Sequence, residues 1–369
     1  MKIPLIKPYI DSNIKEKVIE VLESGYLTEG QITVKFENEF SKYIGCEHSI
    51  AVTSCTTGLE IALRALNIGA GDEVIVPDYT YPATASVVAI VGAKPVIVDI
   101  DRDTMLIDYE KAETAITSRT KAIIPVSLFG NPLDYGRINK IKRKYKLYII
   151  EDAACAVGSE YMRTKTGNLA DISVFSFHPR KFITTGEGGM VTTNNKGWAE
   201  WMNSYKHFGM NKSSIQRESV HFEIIGTNYK MSNLLSVIGL AQLEKIDILL
   251  NRRRELADNY LKLLADIRGI SVPKTTENGI HSWQSFCVFI PGRDKIMNSM
   301  RAEGIEVQIG TYSLHMYKAF QNNETVKLQG PFENSEYSFT HCLTLPLYHD
   351  LTFEQQEMVT EHLKMLLVK

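Results

Sequence analysis

The sequence predicts an α/β protein with a large domain built on a mostly parallel central sheet flanked by helices, followed by a smaller α+β domain. Three observations point there. The chain has 369 residues, 44% of them hydrophobic, enough for two domains with sizeable cores. Short apolar runs alternate with helical stretches over the first two thirds. Beyond a long helical stretch the pattern changes to shorter, mixed elements.

Taken in order, Ile14, Val18, Val21 and Leu22 have helical spacing, and Gly25 is a natural stop. The apolar runs are then Ser49–Val52, Glu73–Pro77, Pro95–Asp99, Ala122–Val126, Leu147–Asp152, Ile172–Phe177 and Met190–Thr193. Runs of this kind, separated by helices, describe strands buried on both faces of a parallel sheet. Such sheets bind ligands beyond the carboxyl ends of their strands. One helix is expected from about Ser232 to Ile267, with Gly239 its weak point. After it come a strand-like Gln284–Ile290, a helix-like Asp294–Glu303, and a final helix near Phe353 with Thr352 as its N-cap. The expected domains are 1–245 and 246–369, with the N-terminal helix packing against the C-terminal part.

Composition narrows the function. A formal net charge of -2 lacks the basic excess of a nucleic-acid surface. The basic clusters at Lys140–Lys146 and Arg252–Arg254 lie in charge-mixed helical stretches and read as solvated faces. Five cysteines without a CxxC pair indicate neither a disulfide framework nor a zinc site, and no metal is expected. No apolar run is long enough to span a membrane and no signal region opens the chain, so a cytoplasmic protein is expected. No G-x-G-x-x-G follows the first strand, which argues against a nicotinamide oxidoreductase.

The chemistry is concentrated in the stretch from Ser176 to Gly189, where Lys181 sits between a strand and a glycine-rich loop. Upstream, Asp152 ends a strand. A lysine amine can form a Schiff base with an aldehyde, and a carboxylate can hold a pyridine nitrogen protonated so that the ring accepts electrons. Together they suit pyridoxal 5'-phosphate (PLP). Thr53–Leu59 follows a strand and opens a helix, whose free backbone N–H groups suit a phosphate dianion. Tyr81 lies just past a strand end, where an aromatic can stack on a flat ring. Ser176 precedes the lysine by five residues, within reach of a phosphate, and Asn228 precedes the long helix with an amide for an anion. Taken singly, each has an ordinary explanation: a solvated lysine, a capping hydroxyl, a packing aromatic. Their order and spacing carry the reading.

With these motifs in place the chain resembles the DegT/DnrJ/EryC1/StrS family of sugar aminotransferases, within the fold-type I PLP enzymes. The likeness runs from Ser24–Gly30 and Gly71–Pro77 through Gly92–Pro95 and Val98–Asp101. It continues through Glu151–Ala154, Ser176–His178, Lys181 and Thr185–Gly189 to Asn228–Met231, Tyr312–His315 and Leu345–Pro346. The resemblance implies that Lys181 bonds the cofactor aldehyde, Asp152 pairs with the pyridine nitrogen and Tyr81 stacks on the ring. It implies that Thr56, the Cys55–Thr57 backbone and Ser176 hold the phosphate. Asn228 would then reach the cofactor phosphate of a neighbouring subunit, which requires a homodimer with shared sites. Tyr26, His178, Arg180, Tyr312 and His315 are the candidate substrate contacts. The implied reaction moves an amino group from glutamate, by way of pyridoxamine 5'-phosphate, to the keto carbon of a nucleotide-linked keto-deoxy sugar. C4 is favoured over C3, and a cyclitol or other small ketone is the alternative acceptor. A surface glycan or lipopolysaccharide precursor is the expected product. Two residues depart from the family pattern. Cys155 stands where Gln, His or Glu usually approaches the ring hydroxyl, and Cys55 replaces a Gly or Ala in the phosphate turn. A family member without Lys181 or Asp152 would be a dehydratase or a non-catalytic sensor, and both residues are present.

Overall fold

A computed structural model describes residues 2–210 and 219–368. Its centre is an eight-stranded sheet in the order His48–Val52, Gly189–Thr193, Ile172–Ser176, Tyr148–Asp152, Thr120–Ile123, Glu73–Pro77, Lys94–Val98, Lys327–Gln329. All seven apolar runs of the sequence become strands of this sheet, within two or three residues of the expected bounds. Only Gly189–Thr193 runs against its neighbours, pairing antiparallel with both His48–Val52 and Ile172–Ser176. That reversal places Gly189 opposite both Val52 and Ser176. The connection carrying Lys181 thus caps the same sheet edge at which Asp152 ends its strand.

The eighth strand comes from far along the chain. Lys327–Gln329 pairs parallel with Lys94–Val98, and Tyr312–Ser313 pairs antiparallel with Tyr79–Thr80. Chain beyond residue 246 therefore joins the large sheet once, at Lys327–Gln329, and forms a separate two-stranded pair with Tyr79–Thr80. The intervening C-terminal elements form a separate antiparallel sheet, Phe286–Phe289, Cys342–Leu345 and Gln308–Ile309. Helices Ile246–Leu264, Arg293–Ala302 and Phe353–Val368 contribute buried side chains to its core, with Leu256, Tyr260, Met300 and Leu363 among them.

Two helical expectations are corrected. The stretch expected as one helix is two, Asn233–Leu243 and Ile246–Leu264, broken at Glu244–Lys245. The first is buried almost all round, while the second buries one side against the C-terminal sheet, so the chain turns between them. The N-terminal helix, Ser12–Ser24, packs on Asn233–Leu243 rather than on the C-terminal part. Ion pairs of Asp11 with Lys245 and Lys17 with Glu244 fasten it at the break. The residues before it reach the C-terminal part: Ile3 bridges Ile305, and Leu5 accepts a hydrogen bond from Leu347. The helix ends behave as expected. Gly25 takes the left-handed conformation at φ 71°, and Thr352 Oγ1 accepts from the Gln355 N–H at 3.2 Å.

Beneath the Lys181 loop, Phe36, Phe40, Phe175 and Phe177 pack with ring centroids 5.2–6.1 Å apart. Gly239, poor for helix propensity, is required by this cluster. A Cβ there would sit 2.5 Å from Phe36 Cζ and 2.9 Å from Thr185 Cγ2. Alanine improves helix propensity by about 1 kcal/mol. Overpacking a ring that has no room to move costs about 1–3 kcal/mol. Gly239→Ala should therefore lower the denaturant midpoint, and a raised midpoint would show that the Phe36 ring gives way.

Candidate active site

Asp152 is held at the end of its strand by backbone bonds to the neighbouring connection, its N–H donating to Pro125 and its carbonyl accepting from Ser127. Its side chain is 5% exposed. Oδ2 accepts from the Thr84 hydroxyl at 2.8 Å, and Oδ1 from the Ala154 N–H at 3.2 Å. Burial raises its pKa; Thr84, Ala154 and the charge of Lys181 pull the other way without offsetting it. The geometry thus presents a buried carboxylate with two neutral donors and no directly paired cation among the described residues.

Lys181 closes a tight turn, its N–H donating to the His178 carbonyl at 2.8 Å. Its Nζ lies 3.1 Å from Cys155 Sγ. Burial opposes charge on this amine, but Cys155 first, then Cys55 and Asp152, outweigh it and raise the pKa. Two glutamines hold the loop. Gln284 Oε1 accepts from the Phe182 N–H at 2.6 Å, while its Nε2 donates to the Arg180 carbonyl at 2.7 Å, so one amide brackets the lysine. Gln242 does the same to Thr184, at 3.1 and 2.5 Å. Arg253 supports Gln284 from behind, donating to its carbonyl at 2.9 Å, and burial lowers the Arg253 pKa to about 10. Sequence reading missed Thr84, Gln242 and Gln284. The one signal for Gln242 was a polar side chain inside the apolar run Leu240–Leu243.

At the phosphate turn, helix Cys55–Ala65 begins with a capping box. Ser54 Oγ accepts from the Thr57 N–H at 3.1 Å, and Thr57 Oγ1 accepts from the Ser54 N–H at 3.1 Å. The backbone and hydroxyl of Thr57 are thus both engaged, which narrows the role expected for it. The N–H groups of Cys55 and Thr56 make no hydrogen bond among the described residues, and the Thr56 side chain is exposed. Gly189 lets its strand pass this turn, since a Cβ there would meet Cys55 N at 2.7 Å and Ser54 O at 2.8 Å. Ser176 lies opposite Gly189 in register, its hydroxyl accepting from the His178 N–H at 3.4 Å. Cys55 is a small filler whose thiol pKa burial drives well up. Its Sγ lies 4.0 Å from Asp152 Oδ1.

Lys181, Cys155, Asp152 and Cys55 are therefore brought together, with Ser176 and the Cys55–Thr56 backbone beside them. The other expected residues lie around this group. Tyr81 is 65% exposed and leans on Tyr312, with ring centroids 6.3 Å apart. Asn228 sits beside the phosphate turn, because Lys230 bridges Val52 and Tyr229 accepts from the Thr53 N–H. Its side chain accepts from Lys230 Nζ at 2.6 Å and touches neither Lys181 nor Asp152. Tyr26 is 79% exposed, with its carbonyl held by Asn233. His178 and Arg180 are exposed, and Arg180 Nη1 donates to Gln308 at 3.4 Å. His315 is anchored by buried Asp78, whose oxygens meet its N–H and Nδ1 at 2.7 Å each. Burial opposes protonation of His315, but Asp78 wins and its pKa rises.

The chain belongs to the DegT/DnrJ/EryC1/StrS aminotransferase family, whose model matches residues 8–364. It is a PLP-dependent transaminase. It is 37% identical to the GDP-perosamine synthase of Caulobacter vibrioides, covering 100% of this chain and 99% of that one. It is 34% identical to the spore coat polysaccharide biosynthesis protein SpsC of Bacillus subtilis, covering 97% and 95%. The PLP-form of the putative sugar aminotransferase Spr1654 from Streptococcus pneumoniae superposes with a TM-score of 0.93 at 31% identity, covering 99% and 98%. The site fits the cofactor. A protonated pyridine nitrogen would supply the cation that Asp152 lacks. A phosphate would supply the acceptor that the Cys55 and Thr56 N–H groups lack.

Two outcomes follow from this geometry. Asp152→Asn should reduce transamination on the order of a hundredfold or more, as lost electrostatic support does. Cofactor-free protein should behave oppositely. A raised carboxyl pKa gives stability that is present at acid pH and lost as pH climbs through the folded value. The cofactor-free Asn variant should therefore match or exceed the parent's thermal stability at neutral pH. Gln284→Ala leaves the buried Phe182 N–H without an acceptor, a cost of about 1–3 kcal/mol. It should speed PLP loss measured by dialysis and absorbance, and unchanged retention would remove Gln284 from the loop's support.

Proposed function

We propose that this enzyme transfers the amino group of glutamate to the C4 keto carbon of a nucleotide-linked keto-deoxy sugar, in the supply of surface glycan or lipopolysaccharide precursors. The observation that carries amine transfer is the placing of Lys181 Nζ, buried Asp152 and two unpaired helix N–H groups at one edge of the sheet. The sugar nucleotide is supported by the relatives: one is a GDP-perosamine synthase and another a spore coat polysaccharide biosynthesis protein.

When bound, PLP supplies the aldehyde carbon that accepts the amine and the ring that takes up electrons. The chain supplies the rest. Asp152, oriented by Thr84 and Ala154, holds the ring nitrogen protonated. The Cys55 and Thr56 N–H groups, with the Thr56 and Ser176 hydroxyls, bind the phosphate at a helix N-terminus. Tyr81 covers the ring. Lys181 Nζ, when not bonded to the cofactor, would take the proton from the donor's α-carbon and deliver it to the cofactor's aldehyde carbon. The loop's fixed backbone keeps that amine within reach of both atoms, so little entropy is lost at each transfer. His178, Arg180, Tyr26, Tyr312 and His315 surround this centre as contacts for the sugar nucleotide, with Arg180 suited to a phosphate oxygen. The working unit is a cytoplasmic homodimer in which Asn228 completes the phosphate site of the neighbouring subunit. Among the described residues no helix is long and apolar enough to cross a membrane.

Lys181→Ala should abolish the yellow absorption and glutamate-dependent turnover while leaving the fold intact; turnover that persists would sink the lysine's role. Asn228→Ala should weaken PLP retention, and a parent protein that is monomeric with full cofactor occupancy would refute site sharing. NMR of the aminated product from a set of keto-sugar nucleotides decides the acceptor carbon. Amination at C3, or of a free cyclitol ketone alone, would replace the C4 reading.

A further inference from the structure

The amine transfer proposed above makes no use of the contact between Cys155 and Lys181. Sγ and Nζ are 3.1 Å apart, and that sulfur has no other hydrogen-bond partner among the described residues. Both ends are held. Cys155 lies in a hydrogen-bonded turn in which Ala156 donates to Ala153 and Ser159 to Ala156, and its carbonyl accepts from Ser282. Lys181 is bracketed by Gln284. The pairing is therefore set by the backbone rather than by two long side chains meeting by chance. Both residues are only partly buried. The remaining thiols differ. Cys46, Cys287 and Cys342 are buried, and Cys55 is neutral and lies against Asp152 and the Val174 carbonyl. None of these four has an amine as a hydrogen-bond partner.

We propose that Cys155 and Lys181 form a peroxide-driven modification site, in which a sulfur–nitrogen bond closes between the two side chains. In the first step the Cys155 sulfur attacks hydrogen peroxide. Sulfur gives up two electrons and becomes sulfenic acid, the O–O bond breaks, and one water leaves. In the second step Lys181 Nζ, in its deprotonated form, attacks that sulfur with its lone pair. The S–O bond breaks, and the departing hydroxide takes the amine proton as a second water. Thiol, amine and one peroxide thus give a sulfenamide and two waters. A dithiol reductant returns the two electrons and restores thiol and amine. The second step needs a free amine. Cofactor bonded to Lys181 therefore protects the pair, while cofactor-free protein is exposed. The bond in turn removes the amine that PLP requires, so oxidation blocks reloading until a reductant acts.

The test uses the full chain, stripped of cofactor with hydroxylamine or loaded with PLP, each treated with stoichiometric hydrogen peroxide. Free thiols are then alkylated, and peptides are mapped by mass spectrometry. The expected product in the stripped protein is a peptide pair joined at Cys155 and Lys181, lighter than the sum by two hydrogens and separated by dithiothreitol. The loaded protein should lack it, and so should Cys155→Ser. PLP uptake, read by absorbance, should fall in proportion to the joined fraction and return with dithiothreitol, while uptake by Cys155→Ser should not respond to peroxide. Recovery of Cys155 as alkylated thiol or sulfinic acid, with Lys181 unlinked, would overturn the proposal. So would equal joining in the loaded protein, or equal peroxide sensitivity in Cys155→Ser.

Discussion

A carboxylate buried at the carboxyl end of the central sheet is the constraint around which this site is arranged. Asp152 has Thr84 and Ala154 as donors and no directly paired cation. Burying a charge on those terms is unfavourable, and the raised pKa expresses it. On the proposed reading a protonated ring nitrogen would relieve that cost, so cofactor affinity and the instability of the empty site would be two sides of one term. The same cation would keep Asp152 ionised during turnover, when the ring must accept electrons.

The second constraint is mechanical. Lys181 has to leave the cofactor and return to it without wandering, yet it sits in a loop rich in glycine. The structure resolves this with amide brackets rather than with packing alone. Gln284 comes from the C-terminal part and Gln242 from a helix of the large domain, so the loop is held from both sides. Arg253 ties the Gln284 backbone to helix Ile246–Leu264. The C-terminal chain also meets the N-terminal part at two pairings, Tyr312–Ser313 with Tyr79–Thr80 and Lys327–Gln329 with Lys94–Val98.

Around this centre Tyr26, Tyr81, His178 and Arg180 are exposed in the single chain, and the Asn228 side chain is engaged by Lys230. On the proposed reading a second subunit and the substrate would complete this open side. Cys155 is the departure nearest Lys181, its Sγ lying 3.1 Å from Nζ.

The sheet and its helices were legible in the residues because burial on both faces demands unbroken apolar runs, and local order suffices to read them. Lys181, Asp152 and the helix-opening turn at Cys55 were legible for a similar reason: each is a specific chemical type at the end of a recognisable element. What the sequence could not decide was everything resting on contacts between distant segments. The break at Glu244–Lys245 depends on what each helix buries, not on its propensity. The strand Lys327–Gln329 is three residues long and mostly polar, so only its neighbour makes it a strand. Thr57 reads as a phosphate ligand until the capping box engages both its groups. Gln284, 103 positions from Lys181, has no local signal of its role, because a neutral amide acquires one only when the fold brings a backbone N–H and a carbonyl to its two ends.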